Sequence, residues 1–190
     1  SPTGGVHIVW WEDRDGNWEI YYKRSTDGGV SWGADTRLTN NMYVSQNPSI
    51  TSSGQTLHVV WYESRDLNYE IYYKHSTDGG VNWGADTRLT NNTQNSRYPS
   101  VSVSNMVVQV VWEDDRDGNY EIYHKRSTDG GLSWSSDPRL TNNPSYSNKP
   151  AISVSGAFVH VIWWDLRDFS SGEIYYKRST DGGINWGIDT

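Results

Sequence analysis

Four stretches of this 190-residue chain set an arginine among carboxylates at near-identical spacing. They read Glu12-Asp13-Arg14-Asp15, Glu63-Ser64-Arg65-Asp66, Asp114-Asp115-Arg116-Asp117 and Asp165-Leu166-Arg167-Asp168. A guanidinium makes paired, charge-assisted bonds to a carboxylate, so four such arginines on one face would suit an anionic ligand. The candidate ligand-binding set is therefore Arg14, Asp15, Arg65, Asp66, Arg116, Asp117, Arg167 and Asp168. The competing reading is structural: every arginine has an acidic neighbour in reach and could spend its charge there, stitching adjacent units. Asp13-x-Asp15-Gly16 and Asp115-x-Asp117-Gly118 also suggest calcium. An EF-type loop needs a third oxygen ligand before its glycine, however, and Leu67 and Phe169 replace that glycine in the other copies. Asp-Gly-Asn reads instead as hairpin-turn chemistry, and neither a metal nor a cofactor is expected.

These stretches recur because the whole chain repeats. His7, His58, Gln109 and His160 are corresponding positions at intervals of 51 residues. A second motif recurs with them: Ser25, Asp27, Gly29 and Trp32; Ser76, Asp78, Gly80 and Trp83; Ser127, Asp129, Gly131 and Trp134; Ser179, Asp181, Gly183 and Trp186. Ser and Asp side chains accept hydrogen bonds from amides just ahead, folding the chain back on itself. The glycines permit the positive φ of a tight turn. The Trp is expected to lay its ring on the sheet beside the turn.

Ser-x-Asp-x-Gly-x-x-Trp resembles the Asp-box of the sialidase-like families, also called the bacterial neuraminidase repeat. Four matches in register cover essentially the whole chain. The resemblance implies an all-β fold, a β-propeller of four-stranded antiparallel blades. It also implies a sugar carboxylate held by three arginines, one of them in a Tyr/Phe-Arg-Ile-Pro motif. Arg97-Tyr98-Pro99 resembles that motif, whereas Gln46-Asn47-Pro48 and Asn148-Lys149-Pro150 stand in the other copies. Arg97 is thus the residue to test for sialidase-type catalysis. The family's nucleophilic Tyr, its neighbouring Glu and a separate acid lie on different blades. Here Glu19 with Tyr21 and Glu70 with Tyr72 occupy equivalent places in each repeat. Glycoside hydrolysis needs differentiated groups on the two sides of one bond. The expected function is therefore a non-catalytic scaffold or binding module for a glycan or protein ligand. An exo-acting glycoside hydrolase and a purely structural repeat array are the alternatives.

The elements that must position these residues follow from the repeat. Each period holds four short segments: one led by a proline (Pro48, Pro99, Pro150), an apolar run, one leading into the Asp-box, and a short fourth. The apolar runs are Val6 to Trp11, Leu57 to Tyr62, Val107 to Trp112 and Val159 to Trp164. Their lack of alternation places them between neighbouring sheets. Prolines are expected at a strand's first position, where no ladder donor is needed. Repeats fall at approximately 1–46, 47–97, 98–148 and 149–190 within one domain, with one residue inserted in Phe169-Ser170-Ser171-Gly172. The chain opens just before a second strand and stops before a fourth, so both end blades are expected to be cut. Exposed apolar faces there would favour a homo-oligomer or membership of a longer repeat chain.

Composition narrows the partners. With 16 Lys and Arg against 23 Asp and Glu, the formal charge of −7 disfavours nucleic acid and anionic membranes. No apolar run approaches the roughly 18 residues of a membrane span. There is no cysteine, hence no disulfide or thiolate chemistry. Aromatic residues are 11 Trp and 13 Tyr against 2 Phe, rings with a polar tip suited to thin sheets meeting water. An extracellular or cell-surface location is expected. The histidines at corresponding strand positions read as packing or polar contacts, and His75 and His124 as drift from Arg24 and Tyr22. Asn91-Asn92-Thr93 is a lone glycosylation sequon.

Overall fold

A computed structural model describes residues 5–168 and 172–190. Phe169, Ser170 and Ser171, where the inserted residue is expected, lie outside the described residues. The described chain is built of antiparallel strands without a helix. The first sheet holds β1 (Val6–Glu12), β2 (Glu19–Ser25) and β3 (Thr36–Arg37) in that order. The second holds β4 (Ser45–Ser53), β5 (Thr56–Glu63), β6 (Glu70–Ser76) and β7 (Thr87–Arg88). The third holds β8 (Ser96–Ser104), β9 (Val107–Asp114) and β10 (Glu121–Ser127), and the fourth β11 (Ser147–Ser155), β12 (Phe158–Asp165) and β13 (Glu173–Ser179). The expected repeat boundaries fall inside β4, β8 and β11, just past their first residues.

Two of the short fourth segments depart from the common pattern for identifiable reasons. Tyr22 pairs with Thr36 and Tyr73 with Thr87. Pro138 stands at that place in the third sheet; it accepts from the His124 amide at 3.1 Å but has no N–H to return. Only the isolated bridge between Tyr123 and Arg139 remains. In the fourth sheet Thr190 exchanges both backbone bonds with Tyr176, at 2.8 and 3.0 Å. The chain therefore reaches the first residue of that fourth strand, one position further than expected.

The prolines also differ from expectation. Pro48, Pro99 and Pro150 are the fourth residues of β4, β8 and β11, not the first. They sit where the register shifts, between Gln46 and Ser49, Arg97 and Ser100, Asn148 and Ala151. A bulge leaves one residue unpaired, so it tolerates a residue without a donor as well as a strand start does.

The sheets stack face to face in chain order: β1 against β4, β4 against β8, β8 against β11. Three apolar clusters fill the three gaps. Ile20, Tyr22 and Leu38 meet Leu57, Val59 and Trp61. Val60, Ile71 and Tyr73 meet Val108, Val110 and Trp112. Val111, Ile122 and Leu140 meet Val159, Val161 and Trp163. Close approach is possible because the facing edges are rich in serine. Ser49 Oγ accepts the Val101 amide at 3.2 Å, and Ser102 Oγ accepts the Val154 amide at 3.1 Å. Backbone donors left over by one sheet are thus met by side chains of the one before.

Candidate functional site

The Asp-box turns are built as their sequence suggests, with one difference. Ser25 Oγ donates to Asp27 at 2.6 Å and accepts the Gly29 amide at 2.9 Å, while Asp27 accepts the Ser31 amide. The other three copies repeat these bonds. The amide donors hold Asp78 down to about 2, led by the Asn82 backbone bond. The Trp rings pack on the preceding sheet, not on their own. Trp83 meets the Tyr22 ring edge-on at 5.0 Å, Trp134 meets Tyr73 at 5.0 Å and Trp186 meets His124 at 5.1 Å. Trp32, with no earlier sheet among the described residues, donates to Gly29 O at 3.1 Å. The second box glycine serves that docking. A Cβ on Gly80 would stand 2.1 Å from the Tyr22 hydroxyl, and one on Gly131 1.9 Å from that of Tyr73.

The corresponding histidines belong to the same contact. His7, His58 and His160 each lie 2.7 Å through Nδ1 from a tyrosine hydroxyl, of Tyr22, Tyr73 and Tyr176. In the third sheet Gln109 and His124 replace both members, and His124 Nε2 donates to Gln109 Oε1 at 2.6 Å. His124 is therefore one half of a compensated exchange and not drift. Burial pushes His58 down to about 4, helped by the charge of His75, and pushes His124 down to about 3.

At the opposite end of the strands lie the four arginine hairpins. Arg116 donates to Asp114 at 2.8 and 2.7 Å and to Asp137 at 2.6 Å. Arg167 does the same with Asp165 at 2.9 and 2.8 Å and Asp189 at 2.9 Å. Arg14 pairs with Glu12 and Asp35, and Arg65 with Glu63 and Asp86. Each guanidinium also lies over a tyrosine of its own sheet: Tyr21, Tyr72, Tyr123 and Tyr175, at 4.1 to 4.5 Å. The neighbouring aspartates are engaged as well. Asp15, Asp66, Asp117 and Asp168 accept from those tyrosine hydroxyls, and the first three also pair with Arg37, Arg88 and Arg139. These bonds run within one sheet and do not stitch neighbours. Other cations do cross between sheets: Lys74 donates to Leu38 O at 2.6 Å, Lys125 to Leu89 O at 2.5 Å, and Arg24 and Arg126 to Gly79 O and Gly182 O at 3.1 Å.

A different group at this end is less fully engaged. Trp11, Asn47, Tyr98 and Lys149 line a cleft of about 420 Å³ to which all four sheets contribute. Asn47, Tyr98 and Lys149 have φ of 50°, 48° and 49°. This left-handed backbone is costly for side-chain-bearing residues, and here it comes with the bulge that turns each side chain toward the cleft. Behind the wall stand Arg97 and Glu113, paired in register across β8 and β9. The Arg97 guanidinium lies 4.8 Å over Tyr69 and 5.9 Å over Tyr120, and its Nε is buried with no hydrogen-bond partner. Glu113 is 4% exposed and accepts the Lys149 amide at 2.9 Å. Burial raises its carboxyl above the usual range; the Lys149 amide and the charges of Arg97 and Lys149 oppose this without overcoming it. Tyr62 joins the wall, edge-on to Tyr69 at 5.1 Å and to Tyr98 at 5.8 Å.

Glu113, Tyr98 and Lys149 were not among the candidate residues. The signal that finds them is departure from the repeat. Glu113 stands where Trp11, Tyr62 and Trp164 stand in the other copies, and Asn47, Tyr98 and Lys149 all differ at one place. The hairpins, by contrast, bear the same groups each time.

The sequence pattern of the BNR repeat-like domain family matches residues 3–162. The chain belongs to that family. No curated protein matches it in sequence. Among solved structures it is similar to a Dyadobacter fermentans protein of unknown function, at 14% identity and TM-score 0.76, covering 98% of this chain and 65% of that one. It is similar to Trypanosoma rangeli sialidase in complex with 2,3-difluorosialic acid, at 14% identity and TM-score 0.70, over 98% of this chain and 35% of the other. Phage phi92 endosialidase matches at 10% identity and TM-score 0.69, over 97% and 44%. The chain spans less than two thirds of the length of each. At such identities the likeness is one of fold.

Proposed function

We propose that the four sheets are blades of a sialidase-like propeller that binds an acidic glycan without hydrolysing it. The ligand lies in the cleft between Trp11, Tyr98 and Lys149, outside the cell or at its surface. One observation carries this reading. The hairpin arginines are each saturated by two carboxylates, whereas Lys149 lines the cleft itself and Arg97, next in the chain to the cleft residue Tyr98 and behind its wall, keeps a buried Nε without a partner. Two cations beside aromatic faces suit a carboxylated sugar: the charges meet the carboxylate and the rings cover the C–H face. Arg14, Arg65, Arg116 and Arg167 then shape the rim and need not touch the ligand.

The hydrolase reading has one observation in its favour, the raised carboxyl of Glu113. Such a group could donate a proton, but hydrolysis also requires a nucleophile or base on the other side of the bond.

Titration of the chain with N-acetylneuraminic acid and with an uncharged methyl hexoside tests the proposal. Binding of the acid alone, weakened at least tenfold by Arg97→Ala and little by Arg14→Ala, is the expected result. Equal binding of both sugars, or of neither, overturns it. Turnover of a fluorogenic sialoside that Arg97→Ala abolishes would establish the hydrolase instead.

A further inference from the structure

Glu113 is a buried titratable group that the fold alone does not call for. Trp11, Tyr62 and Trp164 hold its place in the other sheets, so an aromatic ring serves there. A carboxyl at that depth is costly unless it is paired. Asp114 and Asp165 are buried as well, but Arg116 and Arg167 each make two bonds to them. Those bonds overcome burial and help to keep both carboxyls below the ordinary range. Glu113, in the middle of the stack, is held otherwise. Among the described residues the Lys149 amide, at 2.9 Å, is the one donor to its carboxylate, and burial keeps the carboxyl above the ordinary range.

The groups that face Glu113 come from each element packed against it. Arg97 of β8 stands opposite in register, and β10 opposes it with the uncharged Ile122. Lys149 of β11 adds its charge to the bond from its amide, and Asp115, just past β9, adds a like charge. Glu113 and Arg97 both act by charge on Tyr120, ahead of β10, while Tyr69, ahead of β6, lies under the Arg97 guanidinium. Arg97 and Lys149 are the two cations assigned above to an anionic ligand. Their charges act on Glu113, and by the same coupling the ionised Glu113 acts on them.

We propose that Glu113 switches the cleft by its protonation: neutral, it leaves Arg97 and Lys149 to the carboxylate of the ligand, and ionised, it opposes that carboxylate. The switch rests on the reading of the cleft as a site for an acidic sugar. Two carboxylates beside one pair of cations compete, as like charges in a poorly hydrated site do. Binding of the acidic sugar therefore draws a proton onto Glu113, and by reciprocity a fall in pH strengthens binding. Histidines, which also titrate in mild acid, do not confuse the effect. All five belong to the Asp-box contacts at the opposite end of the strands.

Calorimetric titration with N-acetylneuraminic acid, whose own carboxyl stays ionised, tests this at pH 7.5, 6 and 5 in buffers of unlike ionisation enthalpy. The wild type should bind about tenfold more tightly at pH 5 than at pH 7.5 and should take up part of a proton per sugar bound at pH 6. Glu113→Gln keeps an acceptor for the Lys149 amide. It should bind at every pH as tightly as the wild type does at pH 5, without proton uptake. Glu113→Tyr, which installs the residue of the second sheet, should be equally insensitive to pH and carries the test if the glutamine variant does not fold. A wild type that binds equally at all three values overturns the switch and leaves the cleft as an anion site. So does a Glu113→Gln variant that keeps the wild-type pH profile, or one that binds more weakly than the wild type at pH 5, which would make Glu113 a support for the ligand. Absence of binding at every pH, by wild type and variants alike, overturns the reading of the cleft and the switch with it.

Discussion

His124 donates to Gln109 at 2.6 Å in the place where the other sheets set a histidine against a tyrosine hydroxyl. Gln109 then donates its own Nε2 to Gly182 O at 2.8 Å. The equivalent tyrosines, Tyr22 and Tyr73, reach Gly79 O and Gly130 O at 3.4 Å. Both arrangements tie a strand pair to the Asp-box carbonyl of the following sheet. The exchange of two residues together preserves that tie.

The pair should behave as a unit. Gln109→His alone sets two imidazoles against each other, and His124→Tyr alone sets a phenol against an amide in a space shaped for a smaller ring. Each single change is expected to cost about 1–3 kcal/mol, as for a buried polar group deprived of its partner. The double variant recreates the pair of the other sheets and should recover most of the loss. Urea unfolding of the four proteins gives the coupling energy, which should be at least about 1 kcal/mol. Additive losses would show that the two positions act separately.

Arg116 and Arg97 should separate stability from binding. Arg116 holds the buried carboxylate of Asp114 by two bonds. Burial alone would raise that carboxyl, but Arg116, Ser96 and Trp112 together hold it below the usual range. Arg116→Ala strands a buried charge and is expected to cost about 3 kcal/mol. Arg97→Ala removes stacking on Tyr69 and Tyr120 and should cost about 1 kcal/mol, with sugar binding lost. The measurement is unfolding free energy beside ligand titration for both variants; the reverse ranking would return the hairpins to candidacy as the ligand site.

The sheets and turns were legible because short-range chemistry repeats: a box with two glycines, an apolar run and a hairpin with Asp-Gly-Asn. What escaped reading depends on residues far apart in the chain. The Trp anchors were placed on their own sheets because local spacing says nothing of a ring such as Tyr22, 61 positions before Trp83 in sequence order but 5.0 Å away in space. Asp35, Asp86, Asp137 and Asp189 were invisible as arginine partners for the same reason, since they lie some twenty residues beyond the hairpins. Pro48 was placed at a strand start because the bulge that accommodates it leaves no mark in hydrophobic pattern. Glu113 is hidden in the sequence because it is a single departure within a repeat whose other copies hold Trp11, Tyr62 and Trp164 at that place. Arg97 was singled out by resemblance, and its unpartnered Nε became apparent only with Tyr69 and Tyr120 around it.

Stability should fall with mild acid well before the carboxylates titrate. Burial, with the charge of His75, takes His58 from the ordinary 6.5 down to about 4. Between those values the unfolded chain binds a proton that the folded chain refuses. Its contribution to stability is therefore whole above about pH 6.5 and is lost as pH drops through about 4. His124, lowered further by burial, acts in the same direction. Urea midpoints at pH 7.5, 6 and 5 should decline steadily, with a slope of at most about 1.4 kcal/mol per unit for each histidine. His58→Gln should flatten the decline; an unchanged slope would mean that His58 is not the group responsible.

Leu67 offers the opposite kind of test, a residue whose replacement should stabilise. It occupies the hairpin position of Gly16 and Gly118, whose φ are 100° and 101°, and it holds φ at 72° with its side chain fully in solvent. A leucine gains nothing there and bears the left-handed penalty of about 1–2 kcal/mol. Leu67→Gly removes that penalty but adds about 0.5–1 kcal/mol of unfolded-chain entropy, for a net gain near 0.5–1 kcal/mol. Leu67→Asn, which tolerates the same backbone, should gain similarly, whereas Leu67→Val should lose about 1 kcal/mol because β-branching disfavours it further. The order Gly and Asn above Leu above Val in thermal midpoint would follow backbone preference. An order following side-chain hydrophobicity would instead mean that Leu67 makes a contact that matters.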